Sequence, residues 1–143
     1  MLRLTQAEPA DLQAVRAVLE AAALPTDDVD AALLAGFVVL REGDSVCGTA
    51  AIEPLEGCAL LRSVAVAAHL RGQGQGERLT AAAEAKAALR GLVPLYLLTT
   101  TAAPFFARRG YREVPRDAVP AVVQASREFS ALCPTSAVVM VKP

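Results

Sequence analysis

The segment Arg71-Gly72-Gln73-Gly74-Gln75-Gly76 constrains this chain more than any other. It follows an apolar run, Leu60-Leu61-Arg62-Ser63-Val64-Ala65-Val66, and precedes an Ala/Leu-rich stretch ending near Arg90. A strand, a glycine-rich turn and a helix in that order gather backbone N–H groups at the positive end of a helix, which suits a phosphate. Glycine lets the backbone approach the anion and take positive φ. Two familiar phosphate loops are excluded. A P-loop needs Lys-Ser or Lys-Thr after its last glycine, and Glu77-Arg78 follows Gly76. The dinucleotide fingerprint needs glycines at relative positions one, three and six; here they stand at 72, 74 and 76.

The chain has 143 residues, enough for one domain with a real core. Its formal net charge of -1 leaves no nucleic-acid footprint. Positive charge is local, at Arg71, Arg78, Arg108 and Arg109, so an anion site must be local too. No apolar run approaches a membrane span, and the start is charged too early for a signal peptide, so a cytoplasmic protein is expected. Cys47, Cys58 and Cys133 are an odd number without a C-x-x-C, which argues for reduced, partly buried thiols and against a metal site.

Periodicity predicts the order of elements. Leu2 to Thr5 reads as a strand. A helix opens at Glu8-Pro9-Ala10-Asp11 and repeats Leu12, Val15, Val18 and Leu19. A short helix is expected over Asp27 to Leu34. Strands follow at Phe37 to Arg41, Ser45 to Glu53 and Cys58 to Val66, with Pro54 to Gly57 as the last turn. A helix from Gln75 to Leu89 carries Leu79, Ala83 and Ala87 as a narrow stripe. Leu95 to Thr99 reads as a buried strand, Ala103 to Arg109 as a short helix and Tyr111 to Val114 as a strand. Ala121 to Phe129 is expected to be helical and Ser136 to Val141 a last strand.

The pattern R-x-x-G-x-G after a strand resembles the acyl-CoA loop of the GNAT N-acetyltransferase superfamily. Val64-Ala65-Val66 looks like that family's cofactor-contacting strand, and Phe105-Phe106-Ala107-Arg108-Arg109-Gly110-Tyr111 resembles its aromatic helix and Gly-aromatic turn. Alone, the loop reads equally well as a plain connection; the flanking motifs in order single it out. The resemblance covers about Leu2 to Val114. It implies an α/β fold with residues 1–143 as one domain: a mixed, mostly antiparallel central sheet with helices on both faces. It also implies acetyl-CoA as cosubstrate, no metal, and a small-molecule amine as partner. Neither nucleic acid nor membrane is expected. A homodimer is allowed, with the exposed part of the tail strand as a candidate surface.

The site residues follow from the resemblance. Pantetheine amides would pair with the backbone of Val64, Ala65 and Val66, and the Val66 N–H would face the thioester carbonyl as an oxyanion donor. Pyrophosphate would lie on Gly72, Gln73, Gly74, Gln75 and Gly76 with help from Arg71, and Phe105 would flank the cofactor. Glu53, Arg62 and Thr99 would meet the amine. A lysine-like ammonium titrates near ~10.4, so a base must take its proton, and Glu53 is the first choice. With Pro54 to Gly57 as a loop, Glu53 is expected opposite Cys58, Thr49 opposite Arg62, and Cys47 opposite Val64. Glu53 and Arg62 then share one sheet face. Cys47 and Cys58 are then roughly 20 Å apart and cannot share an ion.

Phe106 stands where many family members carry the tyrosine that protonates the leaving thiolate. The general acid is open among Tyr111, Tyr96, Thr100 and water. His69 reads as a solvated loop residue, and Cys133 has no evident base to make it a nucleophile. Leu60 to Val66, Leu97 to Ala102 and Phe129 to Ala137 also resemble the arsenic-resistance-associated branch, whose members acetylate glutamate-like toxins of the phosphinothricin type. Arg62 and Arg116 would suit the substrate carboxylate. Two alternatives are a protein or peptide N-acetyltransferase and a non-catalytic acyl-CoA-binding regulatory module.

Overall fold

The computed structural model describes residues 1–127, 129 and 137–143. Seven strands form one sheet: β1 (Leu2–Gln6), β2 (Phe37–Glu42), β3 (Ser45–Leu55), β4 (Cys58–Val66), β5 (Leu95–Thr99), β6 (Arg112–Val114) and β7 (Val138–Lys142). Their spatial order is β1-β2-β3-β4-β5-β7-β6. Among the described residues only the β4–β5 pair is parallel. The helices with described bounds include α1 (Leu12–Ala21), α2 (Ala31–Leu34), α3 (Gln75–Leu89), α4 (Ala103–Arg108) and α5 (Ala121–Gln124).

Helices cover both faces. Leu79, Ala83 and Ala87 of α3 and Phe106 of α4 pack on Leu40, Ala50, Ile52, Leu61 and Leu97. The small side chains of α3 let it lie close: a Cβ at Gly48 on β3 would stand 2.8 Å from Leu79 Cδ1. On the other face Val15 and Leu19 of α1 and Leu34 of α2 meet Phe37, Val39, Ala51 and Ala65. Val123 of α5 packs there too, on Cys58, Leu60 and Val139. Arg41 anchors the start of α1 to β2 through two bonds to Asp11, at 3.1 and 2.6 Å. These bonds hold the Asp11 carboxyl below its usual range.

Three expected elements differ. The helix expected from Asp27 starts at Ala31, with Asp30 as its cap: Leu33 N–H donates to Asp30 Oδ1 at 2.9 Å. Before it, Arg16 holds the Val29 carbonyl, and Val29 N–H closes a turn on Thr26. The helix expected over Ala121 to Phe129 is interrupted: α5 ends at Gln124, Ala125 and Ser126 form a turn and bend where Ser126 Oγ donates to the Val123 carbonyl at 2.7 Å, and Arg127 and Phe129 are helical again. The turn expected over Pro54 to Gly57 is shorter: Pro54 pairs with Ala59 and Leu55 with Cys58, leaving Glu56-Gly57 as the connection.

That shorter turn corrects the register. Glu53 lies opposite Leu60, not Cys58, and Ala51, not Thr49, lies opposite Arg62. Cys47 does not face Val64; its carbonyl accepts the Ala67 N–H. The slip at Glu53 and Arg62 is by two residues, an even number, so both keep one face. Cys47 and Cys58 are buried thiols whose pKa burial raises. Cys133, and most of the distinctive segment from Phe129 to Ala137, lie outside the described residues.

Candidate active site

β4 and β5 pair only at Ala59–Leu95 and Leu60–Tyr96. Past these pairs the sheet opens into a cleft of about 950 Å³. Leu61 to Val66 line one wall and Leu97 to Ala102 the other. Arg71, Gly76 and Phe105 stand at the α3 end, and Ala22, Ala23, Leu24, Pro25 and Asp27 line it on the α1 side.

A bulge in β4 prepares its edge for that opening. Between the pairs Ala51–Arg62 and Thr49–Ala65, both Ser63 and Val64 stand against Ala50 alone. Ser63 takes φ 57°, unusual for a residue with a side chain. Its carbonyl accepts a 2.7 Å bond from the buried Thr49 hydroxyl. The extra residue reverses the alternation of side chains. Arg62 points to the α1 face, whereas Val64 and Val66 pack toward α3.

The Ala67 N–H donates to the Cys47 carbonyl at 2.8 Å, so alternation turns the N–H and C=O of Val66 away from β3. Arg71 Nε meets that carbonyl at 3.0 Å on the open side. The Val66 N–H therefore faces the cleft. Arg71 is folded back onto β4 and frames the opening; it does not reach out along the glycine loop.

The loop itself fits an anion. Gly72 and Gly74 have φ of 78° and 79°, and a Cβ at either would meet nothing within 4 Å. Gly74 caps α3 with no side-chain bond to the first-turn amides. A glycine cradle open to the surface and an uncapped helix N-terminus are what a pyrophosphate needs. Gln73 turns its amide to the His69 carbonyl at 3.3 Å, so it offers the loop backbone only. Gln75 begins α3, and Phe105 lies beside Gly76, its Cζ 3.7 Å from where a Cβ there would stand. These residues would hold acetyl-CoA.

The opposite end is ionic. Arg62, its side chain 1% exposed, donates to both oxygens of Asp28 at 2.5 and 2.7 Å and to Glu53 Oε1 at 2.9 Å. Sequence reasoning brought Glu53 and Arg62 together but missed Asp28. That residue is 34 positions from Arg62, with no pattern linking them. The guanidinium expected to take a substrate carboxylate already holds the chain's own. Glu53 is 21% exposed at its side chain, and the exposed carboxylate lining the cleft is Asp27, also missed. Thr99 lines the cleft, and its hydroxyl oxygen accepts the Ala102 N–H at 3.0 Å, which shapes the turn into α4.

The open question of the general acid narrows. Tyr111 is 3% exposed and donates its hydroxyl proton to Glu84 at 2.8 Å. Burial first, and then the Glu84 carboxylate, push its pKa far above the usual value. Arg109 and Lys142 complete that cluster on Glu84. Tyr96 packs with Leu60 and Val139 away from the cleft. Thr100 lines it. Phe106 is buried edge-on between Phe105 and Tyr111. His69 is exposed and faces Glu42 at 3.0 Å.

Residues 34–113, more than half of the chain, match the family described as Acetyltransferase (GNAT) domain. The chain belongs to the GNAT acetyltransferase family. An amino-acid acetyltransferase of Ralstonia nicotianae is 35% identical over 89 residues, which are 61% of this chain and 20% of that protein. The N-acetylglutamate synthase of Neisseria gonorrhoeae, solved with coenzyme A and N-acetyl-glutamate, superposes with a TM-score of 0.84 at 22% identity. That match covers 99% of this chain and 35% of the synthase. A Mycobacterium tuberculosis protein solved with CoA has a TM-score of 0.83 at 21% identity and is covered over 98% of both chains. This GNAT chain thus spans about a fifth of the length of the amino-acid acetyltransferase it matches. The solved structures bear out the mixed sheet with helices on both faces. Among the described residues no helix is long and apolar enough to cross a membrane.

Proposed function

We propose that this GNAT domain, taken as residues 1–143, moves the acetyl group of acetyl-CoA to the primary amine of a small amino acid or amino-acid-like compound. The cleft carries this reading: an uncapped helix N-terminus and glycine cradle stand at one end, the Asp27 carboxylate and the carboxylate-bound Arg62 line the other, and the Val66 N–H lies between them. Bound there, acetyl-CoA supplies an acetyl group on sulfur. Nitrogen gives one proton to a base before attack, then gains the acetyl group as the C–S bond breaks, and the second proton it loses balances the one gained by the thiol.

The chain contributes three things to that exchange. The loop from Gly72 to Gly76 binds the diphosphate. The Val66 N–H polarises the carbonyl oxygen and stabilises the charge that grows on it. Glu53 accepts the ammonium proton through solvent, because its carboxylate is part-exposed on the face that carries Arg62. With Phe106 in place of a tyrosine, the thiol is left to water or Thr100; a thiol titrates near ~8.5, so thiolate departure is tolerable near neutral pH.

The amino-acid-like acceptor is supported by the amino-acid acetyltransferase relatives, matched over only a fifth of their length. The narrower toxin reading, a glutamate analogue of the arsenic or phosphinothricin type, is supported by the tail sequence from Phe129 to Ala137. It asks for a cation to meet the analogue's second anionic group. A cytoplasmic setting goes with either.

The test is CoA thiol release from acetyl-CoA against a panel of amino acids, phosphinothricin-type compounds, diamines and short peptides. Release with one class identifies the acceptor. No release with any amine, alongside intact acetyl-CoA binding, would refute turnover and favour a binding module. Glu53→Gln is expected to lower kcat by about 100-fold at neutral pH and to keep acetyl-CoA affinity. An unchanged pH–rate profile would remove Glu53 as the base.

A further inference from the structure

The two ends of the cleft carry opposite charge, and this bears on which amine the proposed acetyl transfer accepts. At the α3 end stands Arg71. At the other end Arg62 faces two carboxylates, Asp28 and Glu53, so those three side chains together carry one negative charge. Asp27 adds a second, exposed and on the cleft wall itself. Asp27 is held there by its surroundings. Asp28, the next residue, is locked to Arg62, and Arg16 grips the Val29 carbonyl after it.

Among the described residues, Arg116 borders this end through Ala137 of the cleft lining, but its guanidinium is already engaged. Arg116 lies over the Phe129 ring, 5.0 Å from its centroid, and donates to the Ala137 carbonyl at 3.2 Å. A second anionic group on the acceptor would meet Asp27 and find Arg62 already filled.

We propose that the acceptor end selects amines by positive charge, with Asp27 as the residue that sets the preference. A diamine or a basic amino acid is taken before a neutral one, and a neutral one before an acidic amino acid. The second cationic group sits at Asp27 while the first amine faces Val66. This rests on the acetyl-transfer reading above and names its substrate class. It departs from a glutamate-like toxin as the acceptor.

The experiment is displacement of dansylcadaverine, a fluorescent monoamine with an alkyl arm, from the CoA-loaded protein. Competitors are a diamine, glutamine, glutamate and phosphinothricin, in low and high salt. The diamine is expected to displace the probe at a concentration at least about tenfold below that for glutamate, and its advantage shrinks as salt screens the charges. Asp27→Asn should erase most of that gap while thermal stability and CoA affinity stay unchanged. Failure of the probe to bind, equal displacement by glutamate and the diamine, or better displacement by phosphinothricin would overturn the proposal. Thiol release measured in parallel separates the two readings. Charge-ordered displacement without release overturns acetyl transfer only; release that favours glutamate overturns the charge preference only.

Discussion

The two ends of the cleft are made in opposite ways. The cofactor end is built from backbone: a run of six residues, Arg71 to Gly76, the first four exposed, whose chemistry lies in amides and missing side chains. The acceptor end is built from side chains brought from three places, Asp28 before α2, Glu53 on β3 and Arg62 on β4, and much of it is buried. A backbone site tolerates variation around it because it needs only a turn and a helix. An ionic site buried in a fold depends on each member, since removing one takes away hydrogen bonds that the buried others cannot replace with water.

The largest effect that can break this comparison is therefore on stability. Asp28→Ala leaves the Arg62 guanidinium, 1% exposed, with Glu53 as its remaining partner in this triad. A loss of about 3–5 kcal/mol is expected from urea unfolding, because two charge-assisted hydrogen bonds to a buried guanidinium, each worth roughly 1.5–3 kcal/mol, are removed while Glu53 still faces it. A loss under about 1 kcal/mol would mean that the pair behaves as a surface one and that the acceptor end is not held by it.

The same contrast explains what was legible in the sequence. The loop, α3 with its Leu79, Ala83 and Ala87 stripe, and the order of strands could be read because each is local: a few consecutive residues carry the signal. The pairing of Glu53 with Arg62 was read on a wrong register, and it survived because the error was even. The two-residue turn at Glu56-Gly57 hid behind Pro54, which looks like a turn residue yet lies inside β3 here, paired with Ala59. Asp27 and Asp28 looked like the first turn of a helix. Their places depend on Arg62 and Arg16, contacts that no spacing in the chain announces. The bulge was invisible because serine at positive φ has no compositional mark.

A second, smaller effect should stay at the cofactor end. Gly74→Val puts a branched side chain where the cradle is open, at φ 79°. No protein atom lies within 4 Å of its Cβ, so the fold loses only the cost of left-handed backbone, about 1–2 kcal/mol. Acetyl-CoA affinity is expected to fall by at least about tenfold, roughly 1.4 kcal/mol, by calorimetry or competition. If affinity is kept, the loop is not the diphosphate site. The pair of variants then separates the ends. Asp28→Ala should lower stability far more than Gly74→Val, and Gly74→Val should act on the cofactor at temperatures where both are folded.

The smallest expected effect lies between the ends, at Thr49. Its hydroxyl, fully buried, holds the Ser63 carbonyl at 2.7 Å, and Ser63 is the strained residue of the bulge. The bulge is what turns Val64 and Val66 toward α3 and frees the Val66 edge for the cleft. Thr49→Val keeps the shape of the side chain and removes the bond, at about 1 kcal/mol of stability. If the bond also fixes where the Val66 N–H points, kcat falls several-fold while KM for acetyl-CoA changes little, since the diphosphate contacts are elsewhere. Thr49→Ser keeps the hydroxyl and is expected to restore kcat, although it loses a buried methyl and some stability. That opposite behaviour of the two variants is the diagnostic: packing alone predicts that Ser is the worse substitution in both measurements. Should Val turn over like the parent, the bulge is held by the β3–β4 ladder itself, and the middle of the cleft joins the cofactor end as a site made of backbone.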